Sequence, residues 1–541
     1  MLVYPNKRAL VVRPRDPIAL QTLIPTAKRL QVNGKEFLAI PHKLDETRVL
    51  RNLGMNPPSP IRYHYKWSGQ YTPFKAQMET AEFLTLNPRA YVLNEMGTGK
   101  TLAALWAYDY LRSLGHVHKM LVICPLSTME RTWADEIFRH FPHLDFRVIY
   151  GDRKRRLKLL EQEADIYIVN HDGLSIIAAD LAKRPDIDII VPDEIAQAAR
   201  NASTDRWKLI NAVVNKQQDG TRWCWGVTGT PTPNAPTDAW AQCRIVTPST
   251  VPPYFNKFKD LVMRQVNQFL WMPRPDATEK VFEVMQPSIR FSRAECMDLP
   301  PCVFQTRHVD LTKEQRDAYK DMFTKLKFEA ANGEVLAVNE AVKASKLVQI
   351  ACGAAYDSNK STVQLDATPR LTVVKEIVDE AEGKVIIFVP FVSAIETVSA
   401  AVSLHLDGVV NAVAQRLAGD SSPSVGCIHG QVTKAERDRI FKEFQKGSQM
   451  RVIVAQPAAM SHGLTLTAAN TIIWYAPIFS NDIYDQACAR ITRPGQTKAQ
   501  LIVNIEGSPI ELKAYERLRN KQKMQGLLLS MVEDERVSTA S

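Results

Sequence analysis

Four short stretches of this chain carry side chains whose types and spacing suit phosphate chemistry. LNEMGTGKT, Leu93 to Thr101, stands between an apolar lead-in, RAYV, and LAALWAYDYLRSL, whose apolar residues recur at helical spacing. A strand-to-helix turn of that kind offers backbone N–H groups and a helix N-terminus to a bound polyphosphate. In this reading Gly97, Thr98 and Gly99 close the backbone around the phosphates, Lys100 neutralises the β/γ oxygens, and the Thr101 hydroxyl binds Mg²⁺. The strict pattern G-x-x-x-x-G-K-[ST] fails at Asn94, which stands where its first glycine belongs, so a plain Gly-rich turn before a surface helix stays open at this point. Asp193 and Glu194 follow the apolar run IDIIVP. Asp193 suits a metal ion held through its water shell, and Glu194 suits orienting or deprotonating an attacking water, against the alternative of a solvated acid pair. Gln77, just before an amphipathic helix, has the donor and acceptor that an adenine edge needs, with Tyr71 or Phe74 to stack on the ring. Gln486, Arg490 and Arg493 are spaced by four and three residues, which on a helix puts them on one face, and two such guanidiniums can clamp a transferring phosphoryl group.

The elements that must hold these side chains alternate. MLVICPLS, TWADEIFRHF, FRVIYG, ADIYIVNH and IDIIVPDE read as strands and helices of βαβ units, and continuously apolar strands argue for a buried parallel sheet. Ligands bind such sheets at the carboxyl ends of strands, where the phosphate turn, the acid pair and Thr228-Gly229-Thr230 all fall. Small hydroxyl residues at a strand end can relay the state of a γ-phosphate into backbone position. Between about 248 and 366 the alternation lapses into a helix-rich region, and then resumes through KVIIFVPF, VGCIHG, RVIVAQ and NTIIWYAP, a second α/β domain without a phosphate turn of its own.

At 541 residues, 45% hydrophobic and 23% charged, the chain is too long for one core and predicts about three or four domains. No uninterrupted apolar run reaches membrane-spanning length, and charge and proline break the N-terminus, so the expectation is a protein neither inserted nor secreted. Eight cysteines without C-x-x-C pairs or histidines at zinc spacing read as free thiols in a reducing compartment. Residues 1–68 hold twelve Lys/Arg against four Asp/Glu, a net +8 of the chain's +10, which suggests a polyanion partner, nucleic acid before an acidic protein. They read as a small α+β module: Asp16-Pro17 starts a helix, Asn33-Gly34 turns a hairpin, LDETRVLRNLG ends on a helix-stop glycine, and NPPSP, 56–60, comes next as a linker.

Taken together and in order, TPFKAQ, NEMGTGKT, VICPLSTMERTW, IVNHDGLS, PDEIA, VTGTPTPN, SKLVQIACG, TPRL, HGQVTKAERDRIFKEF, SHGLTLTAAN and QACARITRPGQT resemble the Swi/Snf family of helicase superfamily 2, ATP-driven translocases on double-stranded nucleic acid. The resemblance covers about residues 70–525. It implies an α/β fold of two RecA-like P-loop domains in tandem with helical insertions and a small N-terminal α+β module. The corresponding boundaries are a basic substrate-recognition module at 1–68, an ATP-binding domain at 69–247, a helix-rich insertion at 248–366, a second RecA-like domain at 367–510 and a helical tail at 511–541. Gln77 is then similar to the family's adenine-reading glutamine, Lys100 and Thr101 to its phosphate and metal residues, and Asp193 and Glu194 to its acid pair. Arg490 and Arg493, with Gln486, are similar to the groups the second domain lends to ATP. Nucleic acid would be touched by Ser127 and Thr128, Asn170 and His171, His429 and Gly430, and Gly463, Thr465 and Thr467, mostly at backbone phosphates. Where the family usually has Ala or Gly and then His after the acid pair, Ile195 and Ala196 stand here, with Gln197 the substitute for the usual link to Thr228-Gly229-Thr230. Phe479 and Pro494 also depart from the pattern.

The resemblance implies a nucleic-acid-dependent ATPase using ATP and Mg²⁺, moving on duplex DNA and remodelling forks or branched DNA by annealing, regression or branch migration. Two alternatives stay open: an RNA-directed or RNA-polymerase-associated ATPase of the same motor type, and an ATP-gated nucleic-acid scaffold. In size, charge and placement the N-terminal module is compatible with those of annealing helicases of the HARP type and phage recombination helicases of the UvsW type. The expected setting is the cytoplasm of a bacterial or phage-infected cell, near the nucleoid, with replication, recombination or transcription proteins as further partners and no membrane.

Overall fold

The structure is a computed structural model that describes the backbone of the chain apart from residues 71, 216–221, 267–270, 297–299, 332–336, 357–361, 418–423, 461–465, 494–495 and 521–541. Some further side chains, chiefly those of 325–341 and 409–417, also lie outside the described set. Two compact units result, Met1–Met297 and Asp298–Ser541.

The first unit opens on a sheet of β1 (Leu2–Tyr4), β2 (Ala9–Val12), β3 (Lys28–Val32) and β4 (Lys35–Pro41), ordered β1-β2-β4-β3 and antiparallel throughout. Two helices cover one side of it, α1 (Pro17–Leu23) and α2 (Leu44–Asn52). Local chemistry sets these elements as the sequence predicts: Asp16 accepts from the backbone N–H groups of Ile18 and Ala19 at 3.0 and 2.9 Å, and β3 turns into β4 through Asn33-Gly34. The expected linker is held. Ser59 is fully buried, its N–H donates to Glu82 at 2.8 Å, and Arg51 and Arg62 reach the same carboxylate at 3.2 and 3.5 Å. Consecutive prolines prevent regular structure without preventing packing, so the N-terminal module is bolted through this segment to the helix that carries Glu82. A short helix, α3 (Ile61–His64), completes the connection.

The main body of the unit is made of α4 (Lys75–Leu86), β5 (Arg89–Val92) and α5 (Lys100–Ser113), then β6 (Lys119–Cys124), β7 (Phe146–Ile149), β8 (Ile166–Asn170), β9 (Ile187–Pro192) and β10 (Trp223–Val227). A parallel seven-stranded sheet runs Ser288–Ile289, β5, β10, β9, β6, β8, β7. Alternate residues of its strands enter two different cores, Leu121, Ile123 and Ile190 on one face and Met120, Val122 and Ile189 on the other, which is why the strands are apolar at every position.

The second unit holds a six-stranded parallel sheet ordered Cys302–His308, Gln500–Glu506, Ala469–Trp474, Lys384–Phe388, Val452–Ala455, Val425–Ile428. The stretch 248–366 is therefore shared out: Ser288–Ile289 extends the first sheet beside β5 and Cys302–His308 extends the second, with helices such as Phe255–Val262 and Lys313–Ala331 between strand partners. Of the tail, Pro509–Arg519 is helical and 521–541 lie outside the described residues. Within this unit Arg370 and Glu511 form an ion pair at 2.8 Å with side chains 2% and 0% exposed, and the guanidinium also donates to the Tyr475 carbonyl. Removing one partner strands a buried charge, so Glu511→Ala is expected to cost about 3–5 kcal/mol, read as a lower denaturant midpoint of this unit. The exposed Arg439–Glu436 pair is screened by solvent, and Glu436→Ala should leave that midpoint where it is.

Candidate active site

The phosphate turn is built as a loop that only glycine can make. Gly97 and Gly99 have φ of +86° and +76°, and Gly99 is the left-handed residue from which α5 starts. A Cβ built on Gly99 would overlap the Gln77 amide nitrogen, so the loop crest and the start of α4 are in contact. Gln77 itself is 2% exposed and its side-chain oxygen accepts from the Phe74 N–H at 2.9 Å, a capping bond that fixes the amide against the turn. Thr98 is buried and donates its hydroxyl to the Glu95 carbonyl at 2.8 Å, and Thr101 sits half-buried in the first turn of α5. The Lys100 ammonium donates to the carbonyls of Asn94 and Glu95 at 2.8 and 3.2 Å.

Asn94, the residue that breaks the strict pattern, is a clamp. Its amide donates to the Thr80 hydroxyl of α4 at 2.9 Å, and its side-chain oxygen accepts from the Phe291 N–H at 3.0 Å. One side chain thus ties the phosphate turn to α4 and to the edge of the sheet, a job glycine could not do. Thr228-Gly229-Thr230 lies against the same turn: the Thr228 N–H donates to the Val92 carbonyl at 3.1 Å, and a Cβ on Gly229 would stand 3.5 Å from both the Asn94 carbonyl oxygen and the Lys100 ammonium.

The acid pair is equally defined. Asp193 continues β9 with its N–H on the Ile123 carbonyl at 2.8 Å. Its carboxylate accepts from the Trp133 indole N–H at 2.9 Å and from the Glu194 N–H at 3.1 Å. Burial pushes this carboxyl up, while the Trp133 bond, the nearby Lys100 charge and the Glu194 N–H pull it back. That Lys100 acts on Asp193 puts the phosphate turn and the metal candidate at one place. Glu194 has φ +50°, a left-handed conformation uncommon for a side-chain-bearing residue, and is partly exposed beside its buried neighbour. Ile195 and Ala196 are buried, and Gln197 is exposed with its N–H on the Glu194 carbonyl at 2.9 Å. The contact between acid pair and Thr228-Gly229-Thr230 runs through Lys100 and the backbone instead.

Trp133 is a site residue that sequence reasoning missed. Its signal lay in the TW of VICPLSTMERTW, and it occupies a π-helical turn, Met129–Ala134, of the kind found at functional sites. His171 has a similar position: it is 5% exposed and its Nε2 bonds the Asp193 carbonyl at 2.9 Å, while Asn170 is buried and takes a 3.3 Å bond from Arg156. Burial lowers the His171 pKa from an ordinary 6.5 to about 4, so the ring is neutral at pH 7. Because the folded value lies below the unfolded one, this contribution is intact above pH 6.5 and is lost as pH falls toward 4. The first unit is therefore expected to lose about 3 kcal/mol over that window through this one group, and His171→Asn should flatten the corresponding slope in denaturant midpoints measured from pH 7 to pH 4.

The other expected contacts divide. Ser127 is exposed, and Thr128 is buried with its hydroxyl on the Pro125 carbonyl at 2.9 Å. In the second unit His429 and Gly430 come just after the strand Val425–Ile428, half-buried and exposed, and Thr467 accepts from the Gln445 amide at 3.2 Å. Tyr71, Gly463, Thr465 and Pro494 lie outside the described residues. Gln486 is buried on the helix Asn481–Cys488, but that helix ends before the arginines. Arg490 is 2% exposed in a turn closed by its N–H on the Ala487 carbonyl at 3.1 Å, with its own carbonyl accepting from Leu466 at 3.1 Å. Arg493 is half-buried and donates to the Ala489 carbonyl at 3.3 Å. The expected single helical face is thus replaced by a helix end and a turn, in which the Arg490 carbonyl takes its bond from Leu466.

A glycine turn with its lysine, an acid pair at the end of another strand of the same sheet and a second parallel-sheet unit carrying Arg490 and Arg493 define a helicase-type ATPase. The chain belongs to the SNF2-related family: the SNF2-related domain matches residues 87–357, just over half of it, and the helicase conserved C-terminal domain matches 369–495. Family and site together make it a nucleic-acid-dependent, ATP-binding hydrolase of helicase superfamily 2. It is 23% identical over 492 residues to putative protein p41 of Acyrthosiphon pisum secondary endosymbiont phage 1, covering 85% of this chain and 98% of that one. An uncharacterized ATP-dependent helicase of Mycoplasma genitalium is 23% identical over 82% of the chain, and the ATP-dependent DNA helicase DDM1 of Arabidopsis thaliana 22% over 81%. The chain spans 40% and 58% of the length of these two. Among solved structures, the Sulfolobus solfataricus SWI2/SNF2 ATPase core in complex with dsDNA is 22% identical, with 84% of this chain and 92% of that one covered at a TM-score of 0.38. Among the described residues no helix is long and apolar enough to cross a membrane.

Proposed function

We propose that this chain is a translocase that couples ATP hydrolysis to movement along duplex DNA and remodels forks or branched DNA. The observation that carries it is the placement of Gly229 and Asp193 beside Lys100 of one glycine turn, with Glu194 next to Asp193 in the chain, in a member of the SNF2-related family. A relative that is by name a DNA helicase supports DNA as the track. Asp193 and Thr101 are hard oxygen donors, and one carboxylate with a hydroxyl and substrate phosphates is what Mg²⁺ accepts. They would hold that ion, which supplies charge neutralisation on the phosphates when bound. Lys100 binds the β/γ oxygens, Glu194 takes the proton of the attacking water, and His171 and Trp133 position Asp193. Arg490 and Arg493 of the second unit stabilise the phosphoryl group in transfer, and Gln77 and Phe74 orient the base. Ser127, Thr128, His429, Gly430 and Thr467 lie on the track for backbone phosphates, and residues 1–68 recognise the branch.

Steady-state ATPase with no nucleic acid, blunt duplex, forked DNA, single strands and RNA tests this reading beside triplex displacement on duplex DNA. Stimulation by duplex with displacement of the third strand is expected. Stimulation by RNA alone would assign the chain to RNA, and turnover without displacement would make it an ATP-gated scaffold.

A further inference from the structure

The N-terminal sheet is covered on one side only. Strand alternation and the pairing registers send Leu10, Val12, Leu38 and Ile40 toward α1 and α2, where they are 0–2% exposed in a core with Leu20 and Ile24. The opposite side presents Leu2 and Tyr4 of β1, Val11 of β2, Phe37 of β4 and Leu30 and Val32 of β3, none of them buried. Leu2, Tyr4 and Val32 are 61%, 45% and 51% exposed. Contiguous apolar surface of this kind marks a place where something docks.

Charge selects the occupant. Lys28 and Lys35 share this open side, opposite Ala39 and Val32 in the register. The four carboxylates of residues 1–68 all lie elsewhere: Asp16 caps α1, Asp45 and Glu46 are in the first turn of α2, and Glu36 alternates onto the helix side, where it pairs with Arg29 at 3.3 Å. The open face is thus aromatic, aliphatic and cationic, without an acid. A duplex offers it phosphates but hides its base faces in the stack. Unpaired nucleotides offer both, since their bases lie on aromatic side chains while their phosphates meet lysines. Tyr4 and Phe37 are two strands apart and four residues offset, about 10 Å across the sheet and about 13 Å along it, so different bases of one strand would meet them.

We propose that the open face of the N-terminal sheet binds single-stranded DNA, stacking bases on Tyr4 and Phe37 and pairing phosphates with Lys28 and Lys35. It deepens the reading of residues 1–68 as the branch-recognising module and rests on that reading for its purpose: the face grips the unpaired arm of a fork while the motor holds duplex.

The test is anisotropy of a labelled poly-dT oligonucleotide with the full chain across a salt series. Tyr4→Ala and Phe37→Ala are each expected to weaken binding about tenfold, and Tyr4→Trp to restore it. Lys28→Gln with Lys35→Gln should lower the slope of log affinity against log salt by about 1.4. These lysines are exposed, so that pair reads the face even where an aromatic truncation unsettles the sheet. Unchanged poly-dT affinity in both the aromatic and lysine variants would overturn the proposal. So would tighter binding of poly-U than of poly-dT, or a wild-type dimer in sedimentation that Leu2→Asp dissolves. Duplex-stimulated ATPase of the unaltered chain is read separately: its absence sinks the motor reading whatever poly-dT does, and its presence beside unchanged poly-dT binding sinks only the stacking face.

Discussion

Glu194→Gln is expected to bind ATP as the unaltered chain does and to hydrolyse it at least about a thousandfold more slowly. The amide keeps the size of the side chain and the left-handed backbone at φ +50°, so the loop stays as built and only the proton acceptor is lost. Asp193 offers no such clean separation, because its carboxylate holds the Trp133 indole and the Glu194 N–H, and an asparagine there would disturb both. Lys100→Ala differs again, since it removes charge from the phosphate site and lowers nucleotide affinity together with turnover. Single-turnover hydrolysis and equilibrium binding of a fluorescent ATP analogue separate these cases. A Glu194→Gln protein that still cycles at the wild-type rate would move the base to another residue.

Arg493→Ala should cut turnover by about three to five orders of magnitude while nucleotide affinity changes several-fold at most. An arginine that meets the phosphoryl group only as its charge spreads is silent in ground-state binding and costly in its absence. Arg490→Ala should match it in rate and also lower the stability of the second unit, because Arg490 is 2% exposed inside a turn whereas Arg493 is half-buried. The measurement is kcat beside Kd for ATP, with a denaturant midpoint for each variant. Equal losses in kcat and affinity for Arg493→Ala would count against a transition-state role.

How much of this was legible varied with the range of the forces involved. The strand, turn and helix around Leu93 to Thr101, the cap at Asp16 and the Asn33-Gly34 hairpin are set by neighbours in sequence, and they stand where local rules put them. Asn94 was legible as a departure but not as a clamp, since its partners Thr80 and Phe291 come from an earlier helix and from nearly two hundred residues downstream. Trp133 and His171 carry no periodic or spacing signal that distinguishes a bond to Asp193 from ordinary burial. The helix through Gln486 was expected to carry both arginines, and no glycine or proline precedes Arg490 to say otherwise. It stops at Cys488, and the Arg490 carbonyl takes its bond from Leu466, a partner that only the fold brings near. The division of 248–366 between two sheets has the same origin, for a two-residue strand such as Ser288–Ile289 is made by the edge it joins.

The bonds from the Lys100 ammonium to the Asn94 and Glu95 carbonyls also bear on timing. When a phosphate leaves this turn, the ammonium has two oxygen partners supplied by its own loop, so departure is an exchange of ligands and not a naked rupture of charge. The turn thus carries in its own carbonyls a standing partner for the ammonium, so that charge need not be left bare when phosphate is absent.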